Sequence, residues 1–149
     1  MRARELARPC TPVRLDALLR DAAEVLVRER SPVLVVVSEG GYPLATVPAT
    51  RVLAALLPGP VHEDPLLAAA VGASLDDVVR ERAASLRLAD VLPQRLSALA
   101  VVSPDASPLQ MSALLERTGS PAALVVDYRH DKPHVLGTVD ATTLLQHYL

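Results

Sequence analysis

The side chains able to do chemistry are few and dispersed. The densest group is His62, Glu63 and Asp64, which has the look of a metal-binding fragment. Three adjacent side chains cannot converge on one ion without a special turn. His130, His134 and His147 show no paired spacing with cysteine or carboxylates. Cys10 is the one cysteine, so no internal disulfide is available, and nothing beside it points to an activated thiolate. No Ser-His-Asp grouping, P-loop or GxGxxG can be placed on suitable secondary structure. These residues predict no catalytic machinery and no metal. Arg51 stands apart: its guanidinium can pair with a phosphate or carboxylate, although one turn into a helix it reads first as a solvated or dimer-interface arginine and second as a ligand contact. It lies in TVPATRVL, Thr46 to Leu53, a phrase that returns as TVDATTLL, Thr138 to Leu145.

The echo extends through most of the chain. At an offset of 89, Val13, Asp16, Ala17, Leu26, Arg28, Ser31, Pro32, Val36 and Val37 meet identical residues at Val102, Asp105, Ala106, Leu115, Arg117, Ser120, Pro121, Val125 and Val126. Upstream, RAREL at 2–6 is similar to RLADV at 87–91. The offset grows to 92 at the TV phrase, which places three extra residues at DYRHDKPH in copy two against SEGGY in copy one. Turn residues tolerate such a change, and chance identity would not keep register through it. The chain is a duplication.

Each copy has one grammar. A short apolar run, TPVRL at 11–15 or ALAVV at 98–102, leads into a helix. In copy one the 3–4 residue spacing predicts it from about Leu18 to Glu29. In copy two Ser107-Pro108 is an N-cap followed by proline at the first helical position. Then come a β-branched strand (VLVVV, AALVV), a turn, a second strand (PLATV, HVLGTV) and a last helix from Ala49 or Ala141. The order is β-α-β-β-α, and neither copy alone could bury its sheet face. The predicted class is α/β (α+β), with tandem repeats at 1–57 and 86–149 joined by a helical connector at 58–85. In the connector, Asp64-Pro65 and Ser74 are the expected starts of two short helices.

Composition bounds the function. The 149 residues make one compact unit, half of them apolar, with three Tyr and neither Phe nor Trp. With only three Tyr to stack on bases, a net charge of −2 and no basic cluster, nucleic acid is disfavoured as a partner. The start has no apolar segment of signal-peptide type. Apolar runs such as VLVVV are too short to span a bilayer, so no membrane insertion and a cytoplasmic location are expected.

The leaders, the element order, the valine strand and the TV-x-AT-x-[VL]-L ending resemble a tandem pair of CBS domains, the modules named after cystathionine β-synthase. The connector PGPVHEDPLLAAAV and the phrase VPATRV resemble a group of small stand-alone actinobacterial members. The resemblance implies two repeats packed through their sheets with pseudo-twofold symmetry. It also implies a regulatory module rather than an enzyme, and clefts that take AMP, ATP, S-adenosylmethionine or NAD. A homodimer is implied, as is a separate target protein such as a transporter or metabolic enzyme.

In that family the binding phrase is G-h-h-[TS]-x-x-D at the junction of last strand and last helix. Glycine admits close approach of the ligand, the hydroxyl and helix-start N–H groups suit phosphate, and the aspartate grips the ribose. The resemblance therefore places candidate cleft residues at Thr11, Val13, Thr50 and Arg51, and at Val102, Ser103, Gly137, Asp140, Thr142 and Thr143. Copy one departs at all three key positions, with Ala45, Pro48 and Arg51; copy two keeps Gly137 but has Asp140 and Thr143. Neither copy has the ribose carboxylate, and Asp140 would oppose a phosphate at the helix start. Thr50 and Thr142 are expected to cap the final helices, and Asp140 is equally a cap or a pocket residue. Adenosine binding is thus the first expectation, and a docking module with vestigial clefts the second.

Overall fold

The computed structural model describes residues 1–93 and 99–149. Ala98 of the ALAVV run lies outside the described residues. In copy one, β1 (Val13–Arg14), α2 (Leu19–Glu29), β2 (Val33–Val37), β3 (Pro43–Pro48) and α3 (Ala49–Leu56) follow a single-turn helix α1 (Ala3–Leu6). The connector holds α4 (Gly59–Glu63), α5 (Pro65–Val71), a 3-10 turn (Gly72–Leu75) and α6 (Asp76–Ser85). Copy two runs α7 (Leu88–Val91), β4 (Val101–Val102), α8 (Pro108–Thr118), β5 (Ala122–Arg129), β6 (Lys132–Asp140) and α9 (Ala141–Tyr148). The expected β-α-β-β-α order is present in both copies.

The duplication holds at the level of register. β1 pairs parallel with β2 at Val13–Val36, and β4 pairs with β5 at the equivalent Val102–Val125. The antiparallel hairpins β2–β3 and β5–β6 share even their irregularity, between Val36 and Val37 and between Val125 and Val126. The three extra residues of copy two lengthen the hairpin arms. They meet at a tight turn in which His130 and Asp131 both have positive φ, 51° and 62°. That pair of angles is the two-residue turn matching the twist of antiparallel strands.

Both faces of the β2 and β5 strands are covered, which is why these runs are continuously apolar. Leu34 and Val36 face the helices of their own copy, with Leu19, Leu26 and Val52. Val35 and Val37 turn the other way and meet Leu124 and Val126 of copy two. Each fully buried aliphatic side chain contributes on the order of 1.5–3 kcal/mol, so this four-residue seam is a substantial tie between the sheets.

The leaders cross over. Ala3 N–H donates to Ala106 O and Arg4 N–H to Pro104 O, while Leu88 N–H donates to Ala17 O and Ala89 N–H to Leu15 O. Arg2 reaches the carbonyl of Asp105 through Nη1, and Arg87 reaches that of Asp16. Ala3 is accordingly buried in the core of copy two and Leu88 in that of copy one.

Two local expectations for the connector need correction. Ser74 does not cap α6: it sits in the 3-10 turn and donates its hydroxyl to Val71 O, and the cap position is Leu75. The connector also has a further helix, α4, whose start is set by Pro58 and Pro60. Asp64 does open α5, accepting the Leu66 N–H at 3.0 Å. Helix α6 lies over α2 and α3. Its Arg82 donates to the carbonyls of Ala55 and Leu56, both at 3.1 Å, and closes the C-terminal end of α3.

Candidate functional site

The candidate residues lie where the last strand of each copy becomes the last helix, and the two junctions are built differently. At α9 the Asp140 carboxylate accepts the Thr143 N–H at 2.8 Å, a side-chain N-cap. At α3 the cap position is Pro48, which has no acceptor to offer, and no side-chain cap bond forms. Thr50 and Thr142, expected as caps, are exposed residues of the first turns and cap neither helix. Both helices tether their first N–H alike, Ala49 to Pro32 O at 2.9 Å and Ala141 to Pro121 O at 3.2 Å.

The interior of the copy-two junction is filled. The leader beyond α1 runs along β6, and Arg8 exchanges two backbone hydrogen bonds with Thr138 at 2.9 and 3.0 Å. Gly137 beside it has φ +152°, and a Cβ there would stand 2.1 Å from Arg8 O. Only glycine fits against that leader. Glu29 occupies the same place, its carboxylate accepting the Thr11 N–H at 2.8 and 3.1 Å. Between Arg8, Cys10, Glu29, Pro32 and Asp140 about 20 Å³ remains, room for roughly one water. Outside this pinch a shallow notch of about 420 Å³ opens between Arg30, Pro121, Asp140 and Thr142.

The copy-one junction has a cavity of about 100 Å³, lined by Ala45, Thr46, Val47, Pro48, Arg51, Leu92 and Pro93. No carboxylate is among those residues. Arg51 is exposed and has no hydrogen-bond or ion-pair partner among the described residues. It also borders a wider groove of about 560 Å³ on the side of the connector, shared with Thr50, His62, Arg82 and Asp90.

The structure brings Thr50 with Arg51, and Asp140 with Thr142 and Thr143. Thr11 is drawn to Glu29 on the flank of the copy-two interior. Val13 and Val102 are strand residues packed on the two cores, and Ser103 is exposed on the turn before α8, its carbonyl accepting the Ala106 N–H. Two residues at the copy-two junction escaped the sequence reading, Glu29 and Arg30. The copies hold the signal: the offset of 89 sets Glu29-Arg30 against Thr118-Gly119. Gly119 and Arg30 both end their helices in the left-handed region, at φ +69° and +50°, so an arginine takes a conformation that suits glycine.

Cys10 lies in the seam between the sheets. Burial, with the Glu29 carboxylate adding to it, pushes the thiol up from its ordinary value of 9.0 to about 11, so it stays protonated and a poor nucleophile at neutral pH. Among the described residues no three His, Cys, Asp or Glu side chains come together as a metal set. No helix among them is long and apolar enough to cross a membrane.

No family model and no curated protein matches the chain. Solved structures do. A CBS domain-containing protein of unknown function from Kribbella flavida DSM 17836 is 31% identical over 100% of both chains, with a TM-score of 0.81. CBSX2, solved in complex with AMP, is 18% identical, covering 99% of this chain and 95% of its own, with a TM-score of 0.62. The CBS domain pair of protein MJ0100, solved with 5′-methylthioadenosine and S-adenosyl-L-methionine, is 12% identical over 99% of this chain and 95% of its own, with a TM-score of 0.67. The last two share the fold.

Proposed function

The chain belongs to the family of CBS-domain proteins, and from that premise we propose a non-catalytic regulatory module that takes an adenosine-type metabolite in the cleft of copy one and acts on a separate target protein. Pairs of the same fold bind AMP or S-adenosyl-L-methionine, which supports the ligand class. The observation that carries the choice of cleft is the contrast at the two helix starts. Copy two presents Asp140 and Glu29, with Arg8 beside them, around a water-sized space, whereas among the described residues copy one presents an Arg51 without a hydrogen-bond or ion-pair partner and no acid. An AMP-like ligand would set its base against Ala45, Val47 and Leu92 and its phosphate toward Arg51.

Two costs shape the expected affinity. The missing ribose carboxylate removes about 1.5–3 kcal/mol, or one to two orders of magnitude. The cavity of about 100 Å³ is also smaller than the usual 300–1,000 Å³ of a ligand site, so α3 must part from the Leu92–Pro93 segment on binding. No cofactor is required for this role. The target is a protein such as a transporter or a metabolic enzyme, and the module is a homodimer.

The test is a thermal-shift panel of AMP, ADP, ATP, S-adenosylmethionine and NAD, with calorimetry on any hit. A ligand at 100 times its dissociation constant adds about 2.7 kcal/mol to the folded state, a shift of several degrees. Arg51→Ala should abolish it. The filled interior of copy two favours a second reading, a docking module with vestigial clefts. A flat panel would select that reading.

A further inference from the structure

The groove on the connector side of Arg51 adjoins the copy-one cavity and shares Arg51 with it. It is walled by α3 of copy one and by α4, α6 and α7, and its charged side chains come from four separate elements: Arg51, His62, Arg82 and Asp90. We propose that it is a second ligand site, for a small molecule bearing a phosphate or pyrophosphate group.

Three observations converge on that chemistry. The first is charge. Two permanent cations and a histidine face a single carboxylate, and that carboxylate already holds the Arg87 N–H through Oδ2 at 2.9 Å. In a chain of net charge −2 this local surplus runs against the overall balance. The second is preorganisation. Arg82 is fixed through Nε on the Leu56 carbonyl and Nη2 on the Ala55 carbonyl, which holds Nη1, without a partner among the described residues, in a set orientation. A guanidinium whose ordering is already supplied by the fold loses less entropy on binding an anion than a free surface side chain. The third is size. About 560 Å³, in a groove as shallow as the copy-two notch, gives room for a small anion, and Ala54, Leu57 and Val91 give the ligand body an apolar floor.

Among the described residues copy two has no counterpart: Thr143 stands in place of Arg51, and no connector helix crosses α9. The site therefore arises from the connector, and a ligand in it would bind α4 and α6 to copy one. This goes beyond adenosine binding in the cleft and does not depend on it, although Arg51 borders both spaces.

Inorganic pyrophosphate is the probe, titrated into the whole chain at constant ionic strength and followed by backbone amide shifts. Saturable shifts should appear at Ala54–Leu57, Gly59–His62 and Arg82, on the connector side of α3. Arg82→Gln should weaken binding about tenfold or more. His62→Gln, at an exposed residue of α4, should weaken it about threefold and keeps the test alive if Arg82→Gln fails to fold. Shifts confined to Thr46–Pro48 and Leu92 would put the anion in the cleft and overturn the proposal, as would shifts that never saturate. An adenosine titration run alongside reads the cleft with a probe that has no phosphate for the groove, so either site can fail alone.

Discussion

At the scale of single residues, the two copies differ where backbone or charge leaves little choice. Gly137 is the clearest case. Its copy-one equivalent is Ala45, an ordinary strand residue paired with Val36, yet no Cβ can stand at 137 while the leader lies on β6. Gly137→Ala should therefore cost about 2 kcal/mol or more, by strain at positive φ and loss of the Arg8–Thr138 bonds. Ala45→Gly should cost under about 1 kcal/mol. Urea denaturation of the two variants tests the difference, and equal losses would mean the leader yields freely. Cys10 gives a second prediction. Its folded pKa, about 11, is above its ordinary 9.0, so the unfolded chain releases the thiol proton first as pH rises. The group's contribution to stability is intact below about 9 and is lost between 9 and 11. Alkylation of the native protein should follow a midpoint near 11, and a midpoint near 9 would show that the seam admits solvent.

At the scale of elements, what the sequence discloses is what local chemistry settles. The strands VLVVV and AALVV read correctly because continuous β-branched runs of that length have few alternatives to a strand covered on both faces. Helix α8 read correctly because Ser107, Pro108 and Gln110 form a complete start signal, with Ser107 and Gln110 exchanging hydrogen bonds at 3.2 and 2.8 Å. Ser74 misled because its hydroxyl had a nearer acceptor in Val71 O, a competition that only the tight turn creates. The crossing of the leaders was not legible. Repetition shows that residues 2–6 and 87–91 are alike, but a duplicated segment fits either copy equally well in sequence. The same gap explains the site. Asp140 and Arg51 could be placed at helix starts from the phrase alone, whereas Arg8 enters the copy-two interior through the leader's path and Glu29 from the last residue of α2.

At the scale of the whole molecule, the connector breaks the symmetry that the duplication created. Leu56 and Leu57 of copy one are half-buried, with α6 over α3, while their equivalents Tyr148 and Leu149 of copy two are exposed. Beside them, Leu115, Leu144, Leu145 and Tyr148 line an apolar groove of about 220 Å³ between α8 and α9. If the module is a homodimer, the two faces cannot contribute equally. The uncovered α8–α9 face should carry the association, since a second copy set against it removes Leu145 and Tyr148 from water and each buried side chain of that size is worth on the order of 2 kcal/mol. Leu145→Asp should then convert a dimer to a monomer in light scattering at micromolar concentration. Leu53→Asp, the same change at the equivalent position of copy one, should leave the dimer standing. Both leucines are similarly exposed, 63% and 60%, so loss of fold cannot separate the two outcomes. Dissociation by Leu53→Asp alone would move the interface to copy one, and a monomeric parent chain would end the dimer reading altogether.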